Sequence, residues 1–277
     1  MSSRGVCNTP SARHAQAWRT TTRPRRRGLV ISALIILAAL GAWQLATWAL
    51  HLETWVLPTP VEVAAAFTQP DTQALIVDNL WPTVEEAAVG FAICVGLGVG
   101  LAAVMASSRV MRDGLYPLLI ASQAIPIIAI AAVLVVVLGY GLAPKVVVVV
   151  LFSFFAITVN VYDALQTLDP ELPGLLRTLG ASRWDVLRTA RLPAALPGFF
   201  TGAKLAVTYS VAAAVYSEWV GSTAGLGYAV QQAANQFAEA RVFALVLVMA
   251  ALGLFSFACV AVLERLCVPW ARQPQSD

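Results

Sequence analysis

Charge is sparse in this sequence. Charged side chains make up 12% of the 277 residues, hydrophobic ones 59%, and the mean hydropathy is +0.75. A freely soluble domain of that length needs more charge to cover its surface, so lipid is expected to cover much of it. Cysteine and histidine are few and scattered. Cys7, Cys94, Cys259 and Cys267 share no metal-ligand or disulfide spacing, and Cys94 and Cys259 sit inside apolar runs, where free thiols act as small hydrophobes. His14 and His51 are isolated. With no Cys/His, Ser/His or clustered-carboxylate arrangement, neither a metal site nor a membrane-enzyme active site is expected. A G-x-x-x-x-G-K-[ST] loop is also lacking, and Gly202-Ala203-Lys204-Leu205 does not supply one, so the chain is not expected to bind ATP in the P-loop manner.

Long apolar runs are abundant. A hydrocarbon core about 30 Å thick takes roughly 20 helical residues. Runs of that kind predict six spans, at 29–50, 85–107, 115–138, 145–165, 197–219 and 242–264. The first is longer than a signal-peptide core and lacks a small-x-small cleavage site, so it reads as an uncleaved span. Short helices at 61–67 and 72–80 are expected at the outer surface, and Pro126 is expected to kink the third span. Gly96, Gly98 and Gly100 resemble a dinucleotide loop only superficially, because no strand precedes them; close helix packing is the better reading. The expected organisation is a disordered basic cytoplasmic tail over 1–28, a transmembrane domain over 29–270 and a cytoplasmic tail over 271–277.

The net charge of +3 says less than where the charges lie. Arg4, Arg13, Arg19, Arg23, Arg25, Arg26 and Arg27 fill the tail. Arg109 and Arg112 follow span two; Arg177, Arg183, Arg188 and Arg191 follow span four; Arg265 and Arg272 close the chain. All fall on one side if both termini are cytoplasmic, which leaves Lys145 and Arg241 opposite and Lys204 within a span. Residues 51–84 hold no Lys or Arg but include Glu53, Glu62, Asp71 and Asp78. The positive-inside rule therefore predicts an all-α, six-span protein with both ends in the cytoplasm. Nucleic acid is not an expected partner of the basic tail, since no folded reading domain follows it.

The segment 168–193 is longer than a loop requires and is internally organised. Asp169 suits an N-cap and Pro170 a first helical position. Leu172, Leu175, Leu176 and Leu179 recur at helical spacing, and Pro173 is near enough to the start to be tolerated. Gly180 can end that helix as a C′ residue. Ser182 and Asp185 form a capping box for a second helix, which is expected to stop before Pro193. Two short amphipathic helices meeting at a glycine can lie on lipid or enter a groove on a soluble partner.

Leu179 to Pro193, LGASRWDVLRTARLP, resembles the EAA loop of ABC-importer permeases. Gly180, Ala190, Leu192 and Pro193 fit that family's spacing. The Glu-Ala-Ala element falls on Gly174, Leu175 and Leu176, so its glutamate is missing. LPTP at 57–60, SQAIPIIAI at 122–130 and LERL at 263–266 are similar to the nitrate, sulfonate and taurine branch; GAKLAVTYSVAAAVYSEWVGSTAGLGY at 202–228 is similar to permeases for pyrimidine thiamine precursors. The resemblance implies a permease subunit, not an enzyme, in the bacterial inner membrane. It implies a separate ATPase holding ATP and Mg, a second permease copy forming a homodimer, and a periplasmic or lipid-anchored binding protein meeting the outer surface around 51–84 and 221–240. ATPase coupling falls to Leu176, Leu179, Gly180, Ala181, Ser182, Leu192 and Pro193. The favoured solute is a hydroxymethylpyrimidine-type thiamine precursor, followed by aliphatic sulfonate, taurine or nitrate.

Inside the membrane, Ser122, Gln123 and Pro126 add polarity and a break, which suits a solute path. Tyr209, Ser210 and Tyr216 offer rings and a hydroxyl for a flat heterocycle, and ordinary helix packing accounts for each as well. Glu218 near the outer end of span five either faces a gate or bonds the backbone of the 221–228 loop, and Lys204 is expected to snorkel to the cytoplasmic face. The alternative reading is an ATPase-independent secondary transporter or channel, which calls for inverted repeats or a chain of buried charges.

Overall fold

The computed structural model describes residues 25–51, 53–54, 56–169 and 171–272, and they are helical and irregular with no strand among them. The chain divides into two compact units, Met1–His51 and Leu52–Asp277. In the first, α1 runs from Arg25 to Ala49. It starts inside the basic run because arginine is a good helix former and the apolar residues behind it propagate the helix. The Thr47 hydroxyl bonds the Trp43 and Gln44 carbonyls, so its polarity is met within the helix. The rest of the expected tail, residues 1–24, lies outside the described residues, as do 273–277.

The second unit contains α2 (Pro60–Ala66), α3 (Pro70–Ser107), α4 (Arg109–Ser122), α5 (Ile127–Leu138) and α6 (Leu142–Gln166), then α7 (Glu171–Thr178), α8 (Arg183–Val186) and a π-helical turn (Leu187–Arg191), then α9 (Leu192–Gly221), α10 (Leu226–Asn235) and α11 (Glu239–Cys267). A Thr59–Glu62 capping box starts α2. The expected helix at 72–80 is no separate piece: α3 absorbs it and runs through Pro82. Leu75, Ile76 and Leu80 pack against Leu226, Ala229 and Leu245 of α10 and α11, and that burial outweighs one lost backbone bond.

The kink expected at Pro126 is a full break. α4 and α5 meet at 92°, with Pro126 as the extended residue before α5. Proline lacks the N–H that a continuing helix needs and pushes its predecessor out of the α region. The pair still joins the two ends of the bundle. Tyr116 of α4 packs on Tyr162 near the end of α6, whereas α5 leads directly into the start of α6. Among the described residues, five helices are long and apolar enough to cross a membrane, six if the bent pair counts as one span.

The core lies where α3, α6 and α9 press together. A Cβ on Gly98 would come within 2.8 Å of Ile157, and one on Gly202 within 2.7 Å of the Ala156 carbonyl oxygen. Gly96 and Gly100 face open space, so Gly98 alone among the three meets the close-packing expectation. The ends of the unit differ in charge. Arg109, Arg112, Arg177, Arg183, Arg188, Arg191 and Arg265 gather where α3, α6 and α11 finish and α9 begins. Lys204 belongs to that end too, paired with Glu264 at 2.9 Å.

Candidate functional site

Two places concentrate chemistry, one at each end of this unit. At the basic end, α7 buries none of its residues and exposes Leu172 and Leu175, and Leu179 just past its end is 76% exposed. Asp169 caps it by accepting the Glu171 N–H at 2.9 Å; Pro170 lies outside the described residues. The Ala181 N–H then reaches the Leu176 carbonyl at 3.0 Å, and Gly180 takes φ +89°. Open space surrounds Gly180, so only its backbone conformation calls for glycine. Ser182 and Asp185 form the capping box, with the Asp185 N–H donating to Ser182 Oγ at 3.2 Å and the Ser182 N–H to Asp185 Oδ2 at 2.9 Å. Val186 and Ala190 anchor the segment by burial.

The expected stop before Pro193 does not occur. The π-helical turn carries α8 directly into α9, because its wider spacing accommodates a proline whose N–H is missing. Leu176, Leu179, Gly180, Ala181 and Ser182 therefore share one corner, with Leu179, Gly180 and Ser182 exposed and Leu176 and Ala181 half-buried, while Leu192 and Pro193 open the following helix.

At the other end lies a buried polar cluster. Glu218, 1% exposed, accepts the Thr83 hydroxyl at 2.6 Å and the Gly227 N–H at 2.5 Å. Thr83 Oγ1 in turn accepts the Leu226 N–H at 2.8 Å, and Asn79 Oδ1 accepts the Gly225 N–H at 2.8 Å. Lys145 at the start of α6 donates to Glu86 at 2.5 Å and to Ser222 Oγ at 2.7 Å. Gly225 takes φ +112°, and a Cβ there would overlap the Glu218 carboxyl. The arrangement ties α3, α6, α9 and the first turn of α10 together. The expected bond from Glu218 to the 221–228 backbone is present, through the Gly227 N–H. The other members of the cluster, Thr83, Asn79, Glu86, Lys145 and Ser222, escaped sequence reasoning. The available signals were an acidic pair at the edge of span two and a lysine at the edge of span four.

The other expected residues divide. Ser122 and Gln123 line a cavity of about 150 Å³ at the α4–α5 break, together with Phe152, whose ring lies 5.6 Å from that of Tyr209. Tyr209 and Tyr216 line an open groove of about 700 Å³ between α9 and α11, with Leu205, Val215, Met249 and Phe257. Ser210 is buried on another face, where it bonds the Ala206 carbonyl at 2.8 Å and Ser153 Oγ at 3.1 Å. Among the described residues no group of acidic, histidine or cysteine side chains is placed to hold a metal.

A helical bundle with an exposed amphipathic corner on its basic end is a transporter membrane subunit in form, and comparison identifies it. Residues 92–267 match the family of binding-protein-dependent transport system inner membrane components, and the chain belongs to that family. It is the multi-pass permease subunit of a bacterial ABC importer, a membrane subunit rather than an enzyme. The chain is 34% identical over 221 residues to the formylaminopyrimidine transport permease of Halalkalibacterium halodurans, covering 80% of this chain and 88% of that protein. It is 30% identical over 243 residues to the riboflavin transport system permease of Chloroflexus aurantiacus, covering 88% and 90%. The fold is similar to that of the inward-facing MetNI methionine ABC transporter, with a TM-score of 0.62 at 18% identity over 72% of this chain and 98% of that one.

Proposed function

We propose that this permease carries a flat, neutral heteroaromatic solute, of the hydroxymethylpyrimidine or formylaminopyrimidine kind, from a binding protein into the cytoplasm. The observation that carries the reading is the groove between α9 and α11. It presents Tyr209 and Tyr216 with apolar neighbours, and its described lining contains no lysine or arginine. Aromatic faces suit a planar ring. A nitrate or sulfonate anion, or the sulfonate end of zwitterionic taurine, would find no cation there, and burying an unpaired charge is costly. The two relatives named above are permeases for a pyrimidine and for a flavin.

The basic end faces the cytoplasm, with both termini on that side, in keeping with the positive-inside rule. Residues 29–270 form the permease domain between two short cytoplasmic tails. A separate ATPase, with its ATP and Mg, docks at the corner formed by Leu176, Leu179, Gly180, Ala181 and Ser182, and Leu192 and Pro193 pass its movement to α9. Uncovered leucines on a short, rigidly capped helix support this reading. A second copy of the chain closes the α9–α11 groove as a homodimer, and the binding protein meets the 51–84 and 221–240 segments. Proteoliposomes holding the complete importer test the solute. Uptake of a pyrimidine precursor that excess taurine, nitrate or aliphatic sulfonate fails to compete away is the expected result; preferential uptake of any of those three solutes overturns it.

A further inference from the structure

The polar cluster holds more negative charge than positive. α3 contributes Glu86, α9 contributes Glu218, and α6 contributes Lys145. Glu85 is exposed on another face of α3. Among the described residues, the 222–225 turn, α5 and α10 bring no carboxylate or cation, and Arg241 of α11 is turned to Gln236. Two carboxylates thus face one ammonium, with Glu86 3% and Glu218 1% exposed.

Donor accounting locates the imbalance. Both Glu218 oxygens are met, one by the Thr83 hydroxyl and one by the Gly227 N–H. The Ser222 hydroxyl is spent on the Ala224 carbonyl. Glu86 Oε1 takes Lys145, but Glu86 Oε2 is buried without a donor; Glu86 lies one helical turn beyond Thr83, which bonds Glu218, and its partner Lys145 also bonds Ser222, four residues past Glu218. A lone pair buried against a second carboxylate costs desolvation and repulsion together. One proton between the two removes both costs, since like charges buried side by side resist joint ionisation.

We infer that the Glu86–Glu218 pair is a proton-binding site, with one proton on Glu86 Oε2 donated to the Glu218 carboxylate, so that the buried cluster is neutral. The proton comes from bulk water as the two carboxyls come together and returns to it as they part, and no covalent bond other than that O–H is made or broken. The site binds a proton only while the carboxyls face each other, so a low proton concentration favours separation of the helices. Glu86→Gln mimics the protonated state; Glu218→Gln leaves Glu86 to pair with Lys145 alone.

Infrared spectroscopy of the purified full-length chain in nanodiscs at neutral pH tests this. The wild type is expected to show the C=O stretch of a protonated carboxyl, and each of the two substitutions to abolish it, while the exposed-site control Glu85→Gln keeps it. The thermal midpoint of the wild type is expected to fall as pH rises from mildly acidic to mildly alkaline, and that fall is expected to be lost in Glu86→Gln. Absence of the band from the wild type, its survival in both variants, or an unchanged pH slope in Glu86→Gln overturns the inference.

Discussion

Thr83 occupies the position where three demands meet: it donates to Glu218, accepts from the Leu226 backbone and sits fully buried. Thr83→Val keeps the shape and removes the oxygen, leaving a buried carboxylate oxygen and an amide without that partner. Since a hydrogen bond to a charged group contributes about 1.5–3 kcal/mol, the variant should lose at least about 2 kcal/mol of unfolding free energy in a denaturant titration. A loss under about 0.5 kcal/mol would mean water replaces the hydroxyl. Gly180 and Gly225 offer a paired test, because both have positive φ but only Gly225 is crowded. Gly180→Ala should cost about 1–2 kcal/mol from conformation alone. Gly225→Ala should cost more, since its Cβ would displace the Glu218 carboxyl; equal costs in the same titration would show that the carboxyl yields freely. Sequence reading reached Glu218 because a carboxylate in an apolar run is conspicuous. It missed Thr83, which is 135 residues away, because no period or motif joins the two. Lys145 looked like a surface cation and is buried, its charge answered by a residue 59 positions earlier.

Among elements, those set by local chemistry were legible and those set by packing were not. The corner at Gly180 follows from leucine spacing, a glycine and a capping box, all short-range features, and the structure has each of them. Prolines were harder to read. Pro126 breaks its span outright, Pro82 lies inside a continuous helix, and Pro193 is absorbed by a π-helical turn. What separates the three is which side chains around each proline are buried, and a single sequence does not display that. The corner carries a prediction of its own. Gly180→Trp should insert normally, yet abolish ATPase-coupled uptake, because a bulky residue does not hold φ near +89° and would thrust an indole into the proposed docking surface. Membrane fractionation verifies insertion and solute uptake the loss; full uptake in the variant removes the corner from the coupling route.

On the scale of the whole molecule, the separation of charge between the two ends of the bundle was readable from composition along the chain, because each turn's arginines lie close in sequence to the helices they flank. The groove was not readable. Tyr209 and Tyr216 share it with Met249 and Phe257 of a helix some 40 residues later, as α9 and α11 pack antiparallel, with Lys204 meeting Glu264. Tyr209→Ala should slow uptake of a heteroaromatic solute roughly three- to tenfold, the worth of about one ring contact, with ATP hydrolysis by the assembled importer largely intact. An unchanged rate would place the path elsewhere.

The central claim is that motion enters this subunit from an ATPase at the 168–193 corner. Reconstitution decides it: proteoliposomes carrying the permease with its ATPase and binding protein should accumulate solute only when ATP is hydrolysed, and permease alone should accumulate none under any ion gradient. Accumulation by the permease alone, without nucleotide, would contradict the account.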